Sequence, residues 1–110
     1  MSDLTRRAAI YVDVDDTLVR HASSKPIPIT RVIDQVRRLH ARGFSLYCWS
    51  TGGAEYARRI ATELGVAECF TAFLPKPTLL IDDQEISAWL LKSFHPLEVD
   101  DASLDAVLPT

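Results

Sequence analysis

The sequence predicts an α/β fold, a mainly parallel sheet with helices on both faces, in one domain spanning residues 1–110. Three observations predict it. Short apolar runs of strand character alternate with segments whose apolar residues recur at helical spacing. Two of those runs end in acids, Asp13-Val14-Asp15-Asp16 and Asp82-Asp83, and ligands of open α/β sheets bind outside the carboxyl ends of the strands. The chain has 110 residues, 47% hydrophobic and 25% charged, which suits a single globular domain with a modest core.

Taken in order, Ala8-Ala9-Ile10-Tyr11-Val12 reads as the first strand. Arg20 to Pro28, with two prolines and two serines, reads as an exposed loop. Ile29, Val32, Ile33, Val36 and Leu39 follow helical spacing, so a helix is expected over 29–42, with Thr30 as candidate cap and Gly43 as its stop. Arg37, Arg38 and Arg42 lie opposite that stripe and read as a solvated face. Phe44 to Trp49 is a second buried strand, and Ser50-Thr51-Gly52-Gly53 turns it into a helix reaching about Leu64. Ala54, Ala57, Ile60, Ala61 and Leu64 form the apolar stripe of that helix, and Gly65 ends it. Cys69 to Leu74 is expected as a short third strand, Thr78 to Ile81 as a fourth and Glu85 to Ser93 as a short helix. Leu97-Glu98-Val99 reads as an edge strand, and Ala102 to Leu108 as one or two helical turns.

Composition narrows the function classes. A net charge of -3 gives no overall attraction to nucleic acid or to an anionic membrane. No apolar run approaches transmembrane length, and Met1 to Arg7 carries no apolar signal core, so the expected location is cytoplasmic. Cys48 and Cys69 match no metal or redox spacing and are expected to be reduced. His21, His40 and His95 form no metal spacing either; His21 reads as a surface residue, and Trp49 and Trp89 as core.

The acids carry the chemistry. Side chains alternate along a strand, so Asp13 and Asp15 share one side while Val14 points into packing. Like charges so close call for a cation or a shared proton. If Asp82 and Asp83 meet them at the strand ends, the four carboxyls suit a hard divalent cation such as Mg²⁺. The turn after the second strand opens a helix, where amide donors and the helix dipole favour an anion. Each motif also has a structural reading: acids cap turns and helices, and glycine after a strand makes a plain turn. A lone Lys76 would simply be solvated, but Pro75 and Pro77 restrict the chain on either side of it.

Asp13-Val14-Asp15-Asp16-Thr17, Ser50 after a strand, Lys76, and Asp82-Asp83 after another apolar run occur in the order of four motifs. In this the chain resembles the haloacid dehalogenase superfamily, over Ile10 to Asp83, about two thirds of its length. The resemblance implies a Rossmann-like three-layer sandwich, Mg²⁺ dependence, and phosphoryl transfer through an aspartyl-phosphate. By the same resemblance Asp13 is the nucleophile, and Asp15 the general acid/base. Ser50, with Thr51 as close competitor and Gly52 in the same turn, holds the phosphoryl oxygens, and Lys76 supplies positive charge. The implied metal ligands are the Asp13 carboxylate, the Asp15 main-chain carbonyl and Asp83, with Asp82 beside it. Two departures stand out. Asp16 occupies a position where many relatives carry glycine, and the segments 19–29 and 65–76 are too short to fold as a cap domain.

The expectation is therefore a small, capless, Mg²⁺-dependent phosphatase acting on a phosphorylated substrate of unknown identity. Arg20, His21 and Lys25 border its site, which is open unless a second subunit of a homo-oligomer covers it. The alternative is a regulatory protein that binds Mg²⁺ and phosphate without turnover. A receiver-like phosphoacceptor domain fits less well, because there the acidic pair precedes the phosphorylated aspartate.

Overall fold

A computed structural model describes residues 8–109. The segment Met1 to Arg7, read above for targeting signals, lies outside the described residues. The chain is an α/β protein with a three-stranded parallel sheet of order β1-β4-β5, made of β1 (Ala9–Asp13), β4 (Ser45–Ser50) and β5 (Ala72–Pro75). β2 (Val19–Ala22) and β3 (Lys25–Pro28) form a separate antiparallel hairpin. Helix α1 (Thr30–Ala41) links the hairpin to β4, and α2 (Ala54–Glu63) links β4 to β5.

Right-handed crossovers that advance in one direction across a sheet place their helices on the same face. The core agrees with that rule. Val32, Ile33, Val36 and Leu39 of α1 and Ala57, Ile60 and Ala61 of α2 join Leu46 and Cys48 of β4 in one buried cluster. Leu46 and Cys48 alternate with Tyr47 and Trp49, which face the other way. On that other face Tyr11 stacks on Tyr47 with ring centroids 5.1 Å apart and meets Trp49 edge-on at 4.8 Å. Trp49 thus packs in an aromatic patch whose Tyr11 is exposed, rather than in the main core.

The two longer helices match expectation within a residue or two at each end. Gly43 (φ 93°) and Gly65 (φ 74°) end them in the left-handed conformation that glycine adopts without a Cβ penalty. The cap of α1 is Ile29, without a side-chain hydrogen bond, so Thr30 does not serve as one. Arg38 and Arg42 also do more than face water. With the buried Gln35 they bind Asp101 and Asp105 of the short helix α3 (Asp101–Asp105), at 2.9 Å for Gln35 Nε2 to Asp101 and 2.8 Å for Arg42 to Asp105. Leu104 of α3 enters the core beside them.

Several expectations are corrected. Residues 20–28 belong to the hairpin rather than a loop: Ser23 (φ 50°) and Ser24 (φ 66°) make a two-residue turn with both central φ positive, which matches the right-handed twist of the strands. Its prolines, Pro26 and Pro28, are tolerated because β3 pairs on one side only. Thr78 to Ile81 forms no strand, and Leu79 and Ile81 are 79% and 91% exposed. Only two residues separate it from β5, whereas a parallel neighbour needs a crossover of about a dozen or more. Glu85 to Ser93 holds one 3-10 turn (Ile86–Ala88) instead of a helix, Leu97-Glu98-Val99 is turn rather than strand, and Trp89 is surface rather than core.

Candidate active site

Parallel pairing puts the carboxyl ends of β1, β4 and β5 at one edge of the sheet. Asp13 pairs with Trp49, Trp49 with Leu74, and Ser50 with Pro75, so Asp13, Ser50 and Lys76 leave their strands at the same level. The turn after β1 folds around the Val14 carbonyl, which accepts the N–H groups of Thr17, Leu18 and Val19. Val14, Leu18 and Val19 are fully buried and anchor this turn, leaving Asp13, Asp15 and Thr17 partly open to solvent. Asp16 sits at φ 62°, in the left-handed region that glycine enters freely and aspartate tolerates. That conformation is a physical reason for a glycine at this position in other chains with such a turn.

Lys76 Nζ approaches Asp13 Oδ1 at 3.8 Å, and Thr17 Oγ1 donates to Asp13 Oδ2 at 3.4 Å. Lys76 is fixed from two directions. Its N–H donates to the Ser50 carbonyl at 2.9 Å, and its ammonium lies 5.9 Å from the centroid of the Trp49 ring. The aromatic patch therefore supports the cation of the site. Beneath it, burial pushes the Cys48 thiol up to about 12, and the Asp13 charge adds to that shift.

Ser50 and Thr51 separate into different environments. Ser50 is 1% exposed, and its Oγ accepts the Gly52 N–H at 2.9 Å while its carbonyl accepts the Gly53 N–H at 3.1 Å. It closes the turn, so two of the amides expected to be free donors are already engaged. Thr51 is exposed. Gly53 caps α2 without a side chain, so the first amides of that helix have no intrahelical acceptor.

Asp15 has two neighbours that the sequence pattern did not assign to it. Tyr56 of α2 donates its hydroxyl to Asp15 Oδ1 at 2.7 Å, and His21 Nδ1 of β2 lies 3.6 Å from the same oxygen. Burial first, and then the hydrogen bond and charge of Asp15, raise the Tyr56 phenol to about 12, so it remains a donor at neutral pH. His21 is thus a neighbour of Asp15 rather than a plain surface residue. No motif marked Tyr56; its only signal was its place one helical turn after the Gly52-Gly53 bend.

Asp82 and Asp83 lie in a turn of their own beyond Lys76. Among the described residues no three His, Cys, Asp or Glu side chains gather as a group able to hold a metal. Asp82 Oδ1 instead accepts the Gln84 N–H at 2.9 Å within its own turn, and Asp83 is exposed. The donors that remain at the strand ends, the Asp13 and Asp15 carboxylates and main-chain carbonyls, are all oxygen. That set fits Mg²⁺, which takes one or two carboxylates and completes its shell with waters and phosphate oxygens. Of the other loop candidates, Arg20 lines a groove with Asp16, Pro28, His95 and Leu97. Lys25 sits at the far end of the hairpin, opposite Ala22.

None of the protein-family models, curated proteins or solved structures compared with the chain matches it. Among the described residues no helix is long and apolar enough to cross a membrane.

Proposed function

We propose that the chain is a Mg²⁺-dependent phosphoric monoester hydrolase acting through an aspartyl-phosphate on Asp13, with a haloacid-dehalogenase-like α/β core and no cap domain. The observation that carries this is the 3.8 Å approach of Lys76 Nζ to Asp13 Oδ1, which joins residues 63 apart in sequence (76 − 13) at one edge of the sheet. Lys76 offers positive charge to an incoming phosphate, and the Asp13 oxygen attacks phosphorus. The bond from phosphorus to the leaving oxygen breaks, and that oxygen takes a proton from the Asp15 carboxyl. Asp15, now a carboxylate, accepts a proton from water, whose oxygen attacks the phosphorus, releases inorganic phosphate and restores Asp13.

The Thr51 hydroxyl and the first amides of α2 would receive phosphoryl oxygens, with Ser50 and Gly52 shaping the turn that presents them. The Asp13 carboxylate and the Asp15 main-chain carbonyl would hold Mg²⁺, with Asp83, or Asp82 beside it, as the further ligand implied by resemblance. Bound there, the ion would offset the repulsion between the Asp13 carboxylate and the phosphate. The open strand edge suits a phosphorylated substrate of any size, and a second copy of the chain is a candidate cover. Two free cysteines accord with a cytoplasmic location.

The test is direct. Purified protein with Mg²⁺ hydrolyses an aryl phosphate, chelation stops it, and Asp13→Asn abolishes it while the circular dichroism spectrum is unchanged. Equal turnover in the variant overturns the mechanism. The Gly52 and Gly53 amides, engaged within their own turn, favour a second reading: a regulatory protein that binds Mg²⁺ and phosphate without turnover. Phosphate binding with no hydrolysis across a panel of esters would establish it.

A further inference from the structure

Asp15 forms an isolated bridge with Val19 just before the turn, and its side chain is 42% exposed. Both recorded side-chain neighbours fall on Oδ1: the Tyr56 hydroxyl at 2.7 Å from α2 and His21 Nδ1 at 3.6 Å from β2. Of the two, only the tyrosine contact is a hydrogen bond of good length.

The tyrosine is itself positioned. A Cβ on Gly52 would lie 2.9 Å from Tyr56 Cδ2 and 3.2 Å from Cγ, so the ring passes where residue 52 has no side chain. The Arg59 guanidinium lies 5.3 Å from the ring centroid. The bare glycine therefore does more than permit a turn, since it opens the path by which α2 reaches Asp15, two residues beyond β1.

We propose that Tyr56 is a positioning residue for Asp15: its hydroxyl holds Oδ1, which turns Oδ2 toward the leaving oxygen of a phosphate ester. This rests on the phosphatase reading above, in which Asp15 gives its proton to that oxygen. A poor leaving group needs the proton in the transition state, whereas a good one departs nearly without it. Losing the anchor therefore affects the two kinds of ester unequally. A residue that merely supported the fold would affect both alike.

The experiment compares p-nitrophenyl phosphate with glycerol phosphate, for the full chain with Mg²⁺, in the unaltered protein and in Tyr56→Phe. The expected result is a kcat/KM loss about tenfold greater on the alkyl than on the aryl ester, because that ratio reports the step in which the leaving oxygen departs, whereas the later hydrolysis is common to both. Gly52→Ala keeps the phenol but crowds its ring; it should shift the same ratio in the same direction, and it decides the matter if Tyr56→Phe fails to fold. Equal losses on both esters, or none, overturn the positioning role and leave the phosphatase reading standing. Hydrolysis of neither ester by the unaltered protein overturns both.

Discussion

Leu46, in β4, is wholly buried, while Leu90, in the run Trp89-Leu90-Leu91, is wholly exposed, although both belong to short apolar stretches. The same contrast separates residues 9–75 from residues 76–100. The first region builds five strands and two long helices around one core. The second holds a single 3-10 turn and leaves Leu79, Ile81, Leu90 and Leu97 in solvent. The difference teaches that apolar composition does not make an element. β1, β4 and β5 are joined through α1 and α2, connections long enough to bring the chain back onto the sheet, whereas 78–81 follows β5 too closely. Lys76 stands at the junction, where the ordered half ends and the site begins.

This contrast can be broken or sharpened by experiment. Leu46→Ala should lower the unfolding free energy by about 2–5 kcal/mol, measured by urea denaturation, because the cavity opens between sheet and helices. Lys76→Met should leave the melting curve close to that of the unaltered protein, since the side chain is 40% exposed, yet cut kcat on an aryl phosphate roughly 10²-fold. A thermal loss as large as that of Leu46→Ala would make Lys76 part of the core rather than of the site. Replacing Ser23-Ser24 by Asn-Gly should raise stability by about 1 kcal/mol, because both positions demand positive φ.

A smaller effect comes from pH. Cys48 has its folded pKa raised from 9.0 to about 12, so the unfolded chain releases that proton first and stability falls as pH rises through this window. The denaturation midpoint of the unaltered protein should therefore drop relative to Cys48→Ala between about pH 8 and 10.5, and parallel curves would show that the thiol is not desolvated. Smallest of all, Leu90→Ala should change stability by no more than about 0.5 kcal/mol. A large loss there would mean that the Leu90 side chain is packed rather than solvated, and the contrast with Leu46 would fail.

Much of the ordered region was legible. The stripes of α1 and α2 set their positions, and Gly43 and Gly65 marked their ends because only glycine turns left there without cost. The hairpin was not legible. Its turn carries serines where Asn-Gly would have announced positive φ, and its two prolines argued against a strand that exists only because one of its sides is unpaired. Thr78 to Ile81 failed in the opposite way, with strand composition but no partner to pair with. Within the site, Asp13 and Asp15 were found from a strand end and Lys76 from the resemblance in motif order, and Lys76 does meet Asp13. Asp82 and Asp83 were expected beside them; Asp82 accepts the Gln84 N–H within its own turn.

The sequence by itself determined the two long helices and the strands β1 and β4, and that acids stand at a strand end. Periodicity and glycine stops are local, so they are written residue by residue along the chain. Only the tertiary structure decided which acid each neighbour serves. Tyr56 and Asp15 are 41 residues apart, and their contact depends on the rotation of α2 about its axis and on the missing side chain at Gly52. His21 reaches the same oxygen because a turn of two serines folds a hairpin back from β1. Such contacts arise from packing between elements, which no local pattern records.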